Sequence, residues 1–247
     1  REAAALAAVG AGRVAVRRRL RVAFFCTGSE LRQPGEPLGP GQIWNSNRFQ
    51  LRAALAEPWI EALDLGAVAD EPGLLRATLE RAAREADLVV TTGGVSVGEE
   101  DHMPRLLVEA GGRARVMKVA MKPGKPLTVG TLGEAVYLGL PGNPVSAFVT
   151  WRLIGAGVAA RRAGIARTRP VLTTVRAATS ETRRPGRVEF RPVRIVGEAA
   201  SGEPEADLLT SSFSARLAML AAADGLAVIP AAAERIEKGD VLRFLPF

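Results

Sequence analysis

Between residues 21 and 162, short unbroken apolar runs alternate with helical patterns, and this limits the possible fold more than any other feature. Val22-Ala23-Phe24-Phe25-Cys26 is apolar throughout and runs into Thr27-Gly28-Ser29. Such a run predicts a strand buried on both faces, as in a parallel sheet, followed by a turn. A helical pattern runs from Asn47 to Glu57 and is closed by Pro58. Trp59–Leu65 reads as a second strand, and Pro72 sits just inside a helix that runs to Ala86. Asp87–Thr92 is a third strand, followed by the glycine-rich stretch 93–98 and a helical pattern from Asp101 to Ala110. Short strands are expected near 115–120, 127–130 and 135–140, and a helix from Asn143 to about Arg162. Strands alternating with helices imply right-handed crossovers and a sheet covered on both faces.

After Arg161 the texture changes. Short alternating runs at 171–177, 188–196, 226–229 and 241–244 are broken by turns at Pro185-Gly186, Gly202 and Lys238-Gly239-Asp240. They predict a small all-β domain. The expected organisation is a linker over 1–20, a doubly wound, mostly parallel α/β domain over 21–167, and a β-barrel-like domain over 168–247. Residues 32–43 are rich in Pro and Gly and predict a loop. The chain starts at Arg1 with an Ala-rich stretch that lacks the pattern of a signal peptide, which reads as a cut inside a longer gene product.

Composition narrows the function classes. Cys26 is the only cysteine, so neither an internal disulfide nor a Cys-rich zinc site can form, and a reducing cytoplasmic interior is expected. No apolar run reaches the ~20 residues needed to span a bilayer. A net charge of +7 favours an anionic partner, while 5% aromatic content gives little material for stacking single-stranded nucleic acid. Arg17, Arg18, Arg19 and Arg21 are read as a solvated linker or strand edge rather than a nucleic-acid patch. Neither a nucleic-acid nor a membrane partner is expected.

Four stretches fall at or beside strand ends, where ligands of doubly wound sheets bind. Glycine-rich turns and helix N-termini there present outward N–H groups to anions. Thr27-Gly28-Ser29-Glu30 is the weakest, being equally a plain strand exit. In the second, Gly93, Gly94 and Gly98 would admit a phosphate, Ser96 could donate to it, and Glu99 and Asp101 open the next helix. Those two acids are either helix caps or ligands to a divalent cation bridging to phosphate; glycine density beside paired acids favours function. The third sets Lys122 and Lys125 on a stiff Pro/Gly frame, which is an anion site or an exposed turn. The fourth, Leu140-Pro141-Gly142-Asn143-Pro144-Val145-Ser146, opens a helix with a good cap and a first-turn proline, and adds Gly142 and Ser146 beyond what capping requires. His102, the only histidine, reads as a surface or capping residue, and Cys26 as core. No dinucleotide fingerprint follows the first strand, which argues against a nicotinamide-dependent dehydrogenase.

Taken in order and spacing, these stretches resemble the molybdopterin molybdenumtransferase family, known as MoeA in bacteria, whose module also occurs in a plant cofactor-synthesis protein and in gephyrin. The matching elements are Thr27-Gly28-Ser29-Glu30-Leu31, Asn45-Ser46-Asn47-Arg48, Gly93 to Glu99 with Asp101, Lys122-Pro123-Gly124-Lys125-Pro126 and Gly139 to Ser146. Ala223-Asp224-Gly225-Leu226 and Lys238-Gly239-Asp240 resemble the family's C-terminal β-domain.

The resemblance implies insertion of molybdenum, supplied as molybdate, into adenylylated molybdopterin, with release of AMP and with Mg²⁺. It assigns the glycine loop with Ser96, Glu99 and Asp101 to the pterin phosphate and the metal, Asp70 to a further acidic catalytic position, and Lys122, Lys125 and Ser146 to the oxyanion. Asn45 stands where many members have Asp. Full-length members carry two further domains before this module, and their homodimer builds the cleft with the partner's second domain. A chain of this extent is therefore expected to resemble the C-terminal half. The alternatives are the related adenylyltransferase, argued against by residues 170–247, and a gephyrin-like scaffold for a protein partner.

Overall fold

In the computed structural model, residues 1–94, 102–166, 168–209 and 216–247 are described. A short exposed helix, α1 (Glu2–Ala8), occupies part of the expected linker. The α/β domain follows with β1 (Leu20–Thr27), the two-residue strands β2 (Leu31–Arg32) and β3 (Ile43–Trp44), α2 (Ser46–Ala54), β4 (Ile60–Val68), α3 (Pro72–Glu85), β5 (Leu88–Thr92) and α4 (His102–Glu109). Then come β6 (Arg113–Lys118), β7 (Met121–Lys122), β8 (Pro126–Leu132), β9 (Ala135–Leu140), α5 (Pro144–Thr150), a π-helical turn Trp151–Gly155 and α6 (Ala156–Ala163).

The main sheet has the order β4-β1-β5-β9-β8-β6. Its first four strands are parallel, and β8 and β6 are antiparallel additions. Period-2 alternation divides β1 between two cores. Val22 and Phe24 pack with Leu51, Leu55 and Trp151 on one face, and Ala23 and Phe25 pack with Leu75, Leu79 and Leu107 on the other. On α3 the residues Leu75, Leu79 and Ala82 are buried, the stripe expected of a helix lying on a sheet. Consecutive connections leave β1 first toward β4 and then across to β5, so the strand order reverses between β1 and β5. A crevice opens at such a point.

The C-terminal domain comprises β10 (Thr173–Ala177), β11 (Glu181–Thr182), β12 (Val188–Glu198), β13 (Pro204–Leu208), α7 (Arg216–Ala221), β14 (Gly225–Ile229), β15 (Arg235–Ile236) and β16 (Val241–Pro246). Its sheet runs β13-β10-β16-β14-β12-β7, and β12 also pairs with β13, so the first five of these strands close into a barrel. Val175, Val193, Ala227, Ile229 and Phe244 help fill its interior. The strand β13 was not legible in the sequence, because Pro204, Glu205 and Asp207 disguise the alternation.

One strand departs from the expected boundary. Met121 and Lys122 pair with Val188 and Glu189 of the barrel rather than with the α/β sheet. Met121 is buried together with Val145 and Val149 of α5 and with Leu220, Leu226 and Leu245, so an apolar seam joins the two domains.

Candidate functional site

Three strand ends converge on one crevice. The Gly93 N–H donates to the Leu140 carbonyl at 3.3 Å, which ties β5 to β9. A Cβ on Gly93 would stand 2.6 Å from the Thr27 carbonyl oxygen, and Gly93 has φ +90°, so no side chain fits. Gly142 lies against Gly93, with its own ideal Cβ position 3.5 Å from the Gly93 Cα. These turns border a cleft of about 840 Å³ that also includes Asp70, Thr92, Gly94 and Asn143.

Asp70 and Ser29 lock the first loop to the one after β4. The Ser29 N–H donates to Asp70 Oδ2 at 3.3 Å, and the Asp70 N–H donates to Ser29 Oγ at 3.1 Å. Asp70 is exposed, and it and Glu30 bring carboxylates to the same cleft. These hard oxygen donors suit Mg²⁺. Among the described residues no three acidic, His or Cys side chains cluster as a metal site. Ser96, Gly98, Glu99 and Asp101 lie outside the described residues.

On the opposite wall, Asn45 and Asn47 are buried at the start of α2. Asn45 Oδ1 accepts from the Arg48 N–H at 3.1 Å and caps the helix, two residues before the start predicted from the sequence. Asn47 Nδ2 donates to the Gly142 carbonyl at 2.7 Å, which fixes the fourth loop against α2. The Arg48 guanidinium meets both Asp64 oxygens at 3.0 Å and Gln33 at 2.9 Å, holding the long loop after β1 in place. Glu30 and Asn47, named from the sequence only as members of motif stretches, line the cleft, as does Trp44, which was not singled out at all. The available signal was their position on both flanks of a Pro/Gly loop that directly follows a strand end. Cys26 is core: burial pushes its thiol pKa up, and the neighbouring Thr92 and Asn45 side chains offset this only in part.

The lysine turn sits farther along the same rim, over a smaller hollow of about 240 Å³ between α5 and the barrel. Asn143 borders both spaces. Gly124 has φ +105°, and a Cβ there would stand 2.6 Å from Thr150 Oγ1, so the turn packs closely on α5. Lys122 Nζ lies 3.3 Å from Glu189 Oε1, and Lys125 is exposed. Glu189 also meets Arg183 Nε at 3.3 Å and Arg191 Nη2 at 2.8 Å, and Arg191 reaches Glu181 at 2.9 Å. Burial raises the Glu189 pKa, but Arg191 and Lys122 outweigh it, so the carboxyl stays below its ordinary range. Ser146 faces its own cap, both its N–H and its Oγ lying within reach of Asn143 Oδ1, at 3.1 and 3.3 Å. This ion cluster was not expected from the sequence. Arg187 just before β12 and Glu189 and Arg191 within it stand two residues apart, and a lone acid between arginines at period 2 was the legible signal.

The fold is a doubly wound domain that carries its cleft at the strand-order reversal and is joined to a closed β-barrel. Residues 23–161 match the family described as the probable molybdopterin binding domain, and residues 174–247 match the MoeA C-terminal region, domain IV. The chain belongs to the MoeA family. It is 44% identical over 157 residues to a molybdopterin molybdenumtransferase of Nostoc, covering 62% of this chain and 36% of that protein. With the molybdenum cofactor synthesis protein cinnamon of Drosophila melanogaster it shares 32% identity over 212 residues, 85% of this chain and 35% of the relative. The crystal structure of a molybdopterin biosynthesis MoeA protein from Pyrococcus horikoshii superposes with a TM-score of 0.81 at 29% identity, covering 98% of this chain and 58% of that one. The chain thus spans about a third of the length of the curated relatives it matches. No helix among the described residues is long and apolar enough to cross a membrane.

Proposed function

We infer that the chain carries the pterin-binding and barrel portions of a cytoplasmic molybdopterin molybdenumtransferase. It inserts molybdenum, delivered as molybdate, into adenylylated molybdopterin, and AMP is released. The observation that carries this reading is the convergence of Thr27, Gly93 and Gly142 on one cleft beside Asp70, in a domain whose sequence matches a pterin-binding family.

The roles follow from local chemistry. Gly28, Gly93, Gly94 and Gly98 present no side chain that would keep phosphate oxygens out of the cleft, and Thr27, Ser29 and Ser96 bring hydroxyl donors to them. Pro141, Gly142 and Asn143 shape the adjoining wall. Glu99, Asp101 and Asp70 would hold Mg²⁺, which would neutralise charge at the phosphates. Lys122, Lys125 and Ser146 attract and orient the oxyanion; the Glu189 carboxylate positions Lys122 and offsets part of its charge. The working form is a homodimer in which the partner closes the cleft. Nothing in this geometry favours the adenylyltransferase or scaffold alternatives.

Calorimetric titration of the folded chain with adenylylated molybdopterin tests the reading. Saturable binding that strengthens with Mg²⁺ is expected. Absence of binding by a chain with a native circular dichroism spectrum overturns it.

A further inference from the structure

Single exposed apolar residues are ordinary, but adjacent large ones bordering a polar cleft point to a contact. Trp44 and Ile43 are each 54% exposed, and both border the cleft at the carboxyl end of the sheet. Trp44 is held firmly there. It pairs with Arg32 in the short parallel ladder of β2 and β3. The Ile43 and Asn45 N–H groups on either side donate to Glu30 and Arg32 carbonyls at 2.9 and 2.8 Å. The indole Nε1 donates to the Glu36 carbonyl at 3.1 Å. A ring whose orientation is already fixed loses little rotamer freedom when a second ring lies against it.

The surroundings are divided. Leu31 and Ile43 make the wall beside Trp44 apolar, whereas Gly93, Gly142 and Asp70 make another part of the cleft polar. A ligand with a flat heterocycle at one end and phosphate at the other matches both parts. Resting on the reading of this cleft as a pterin-phosphate site, we propose that Trp44 is a specificity-determining residue that stacks on the planar heterocycle of the bound ligand. An adenine and a pterin ring present the same π-face, and separate probes distinguish them.

The test is titration of the chain and its Trp44→Ala and Trp44→Phe variants with AMP, a pterin monophosphate and ribose 5-phosphate, which has no ring base. Trp44→Ala is expected to weaken AMP or the pterin phosphate by roughly ten- to a hundredfold. Trp44→Phe should restore most of that loss, and ribose 5-phosphate should bind all three proteins alike. The ring-bearing probe that responds identifies which heterocycle Trp44 meets. Equal binding of the ring-bearing probes by the wild type and Trp44→Ala overturns the stacking role but leaves the phosphate site standing. An equal loss for all three probes also overturns it, since Trp44 would then only support the cleft wall. If the wild-type chain binds none of the probes, both this inference and the cleft reading fall. A change confined to self-association assigns the exposed indole to a protein contact and overturns the stacking role.

Discussion

Gly93 turns so tightly against Thr27 that a Cβ would sit 2.6 Å from the threonine carbonyl oxygen, in a backbone conformation with φ +90°. Gly93→Ala combines a disfavoured backbone with a clash against main chain, and is expected to destabilise by on the order of 2–3 kcal/mol. Gly142→Ala makes only an ordinary contact at 3.5 Å and should cost under about 1 kcal/mol. Urea unfolding of the two variants checks this contrast. Equal losses would show that the junction of the strand ends is softer than its geometry implies.

Asp70 is exposed, and its carboxylate and backbone both meet Ser29. Asp70→Asn keeps an acceptor for the Ser29 N–H, so stability should change by no more than about 0.5 kcal/mol. Affinity for the adenylylated pterin should fall by roughly ten- to a hundredfold with Mg²⁺ present and little without it. Titration in the presence of Mg²⁺ and of a chelator separates the two conditions.

Replacing Glu99 and Asp101 together by Ala in the full-length protein should abolish cofactor maturation and leave circular dichroism unchanged. Maturation at the wild-type level in that variant would make both acids helix caps.

Glu189 is the acid shared by Arg183, Arg191 and Lys122. Glu189→Ala removes a shared acid from two largely buried guanidinium groups, of which Arg191 keeps Glu181 and Arg183 keeps the Pro230, Ala233 and Arg187 carbonyls, and should destabilise by about 1–3 kcal/mol. The Lys122 side chain is 54% exposed, so Lys122→Ala should cost under about 1 kcal/mol while weakening oxyanion binding. Because the folded Glu189 carboxyl titrates below its ordinary value, its contribution is present near neutrality and is lost as pH falls through that lowered value. Chemical denaturation across pH values reads the stability effects, and titration of Lys122→Ala with molybdate reads the loss of oxyanion binding.

Asp87 joins the start of β5 to the segment before β1. Arg18 donates to both of its oxygens at 2.6 Å, and the Arg21 N–H donates at 2.9 Å. The Arg18 guanidinium, acting against partial burial, lowers its pKa from 3.8 to about 2. Asp87→Asn should therefore destabilise by about 1 kcal/mol above pH 4, allowing for solvent screening. The difference between variant and wild type should shrink as pH falls from about 4 toward 2, as followed by denaturant midpoints. A difference independent of pH would assign the effect to packing.

Much of the α/β domain was legible because each link was local. Val22–Cys26 is an unbroken apolar run and Leu88–Val90 runs apolar into two threonines, both followed by glycine turns, and Pro72 and Asn143 punctuate helices where first turns and caps need them. The gathering of Thr27, Gly93 and Gly142 could be expected from the rule for doubly wound sheets, and the structure brings them together. What stayed hidden depends on partners distant in sequence. Met121 resembles part of a turn until Val188 is placed beside it, and Glu189 resembles an ordinary strand charge until Arg183 folds across it. Trp44 fell between the loop expected over 32–43 and the helix expected from Asn47, because the ladder that steadies it is only two residues long.

The pairing of Met121–Lys122 with β12 means that the lysine turn is anchored in one unit while the strands on either side of it belong to the other. Any tilt of the barrel would drag Lys122 with it, so the spacing between the two cavities behaves like a caliper set by the inter-domain angle. Dividing the polypeptide near residue 168 would remove that coupling and leave the α/β half with a slack, unregistered arm where a positioned cation had been.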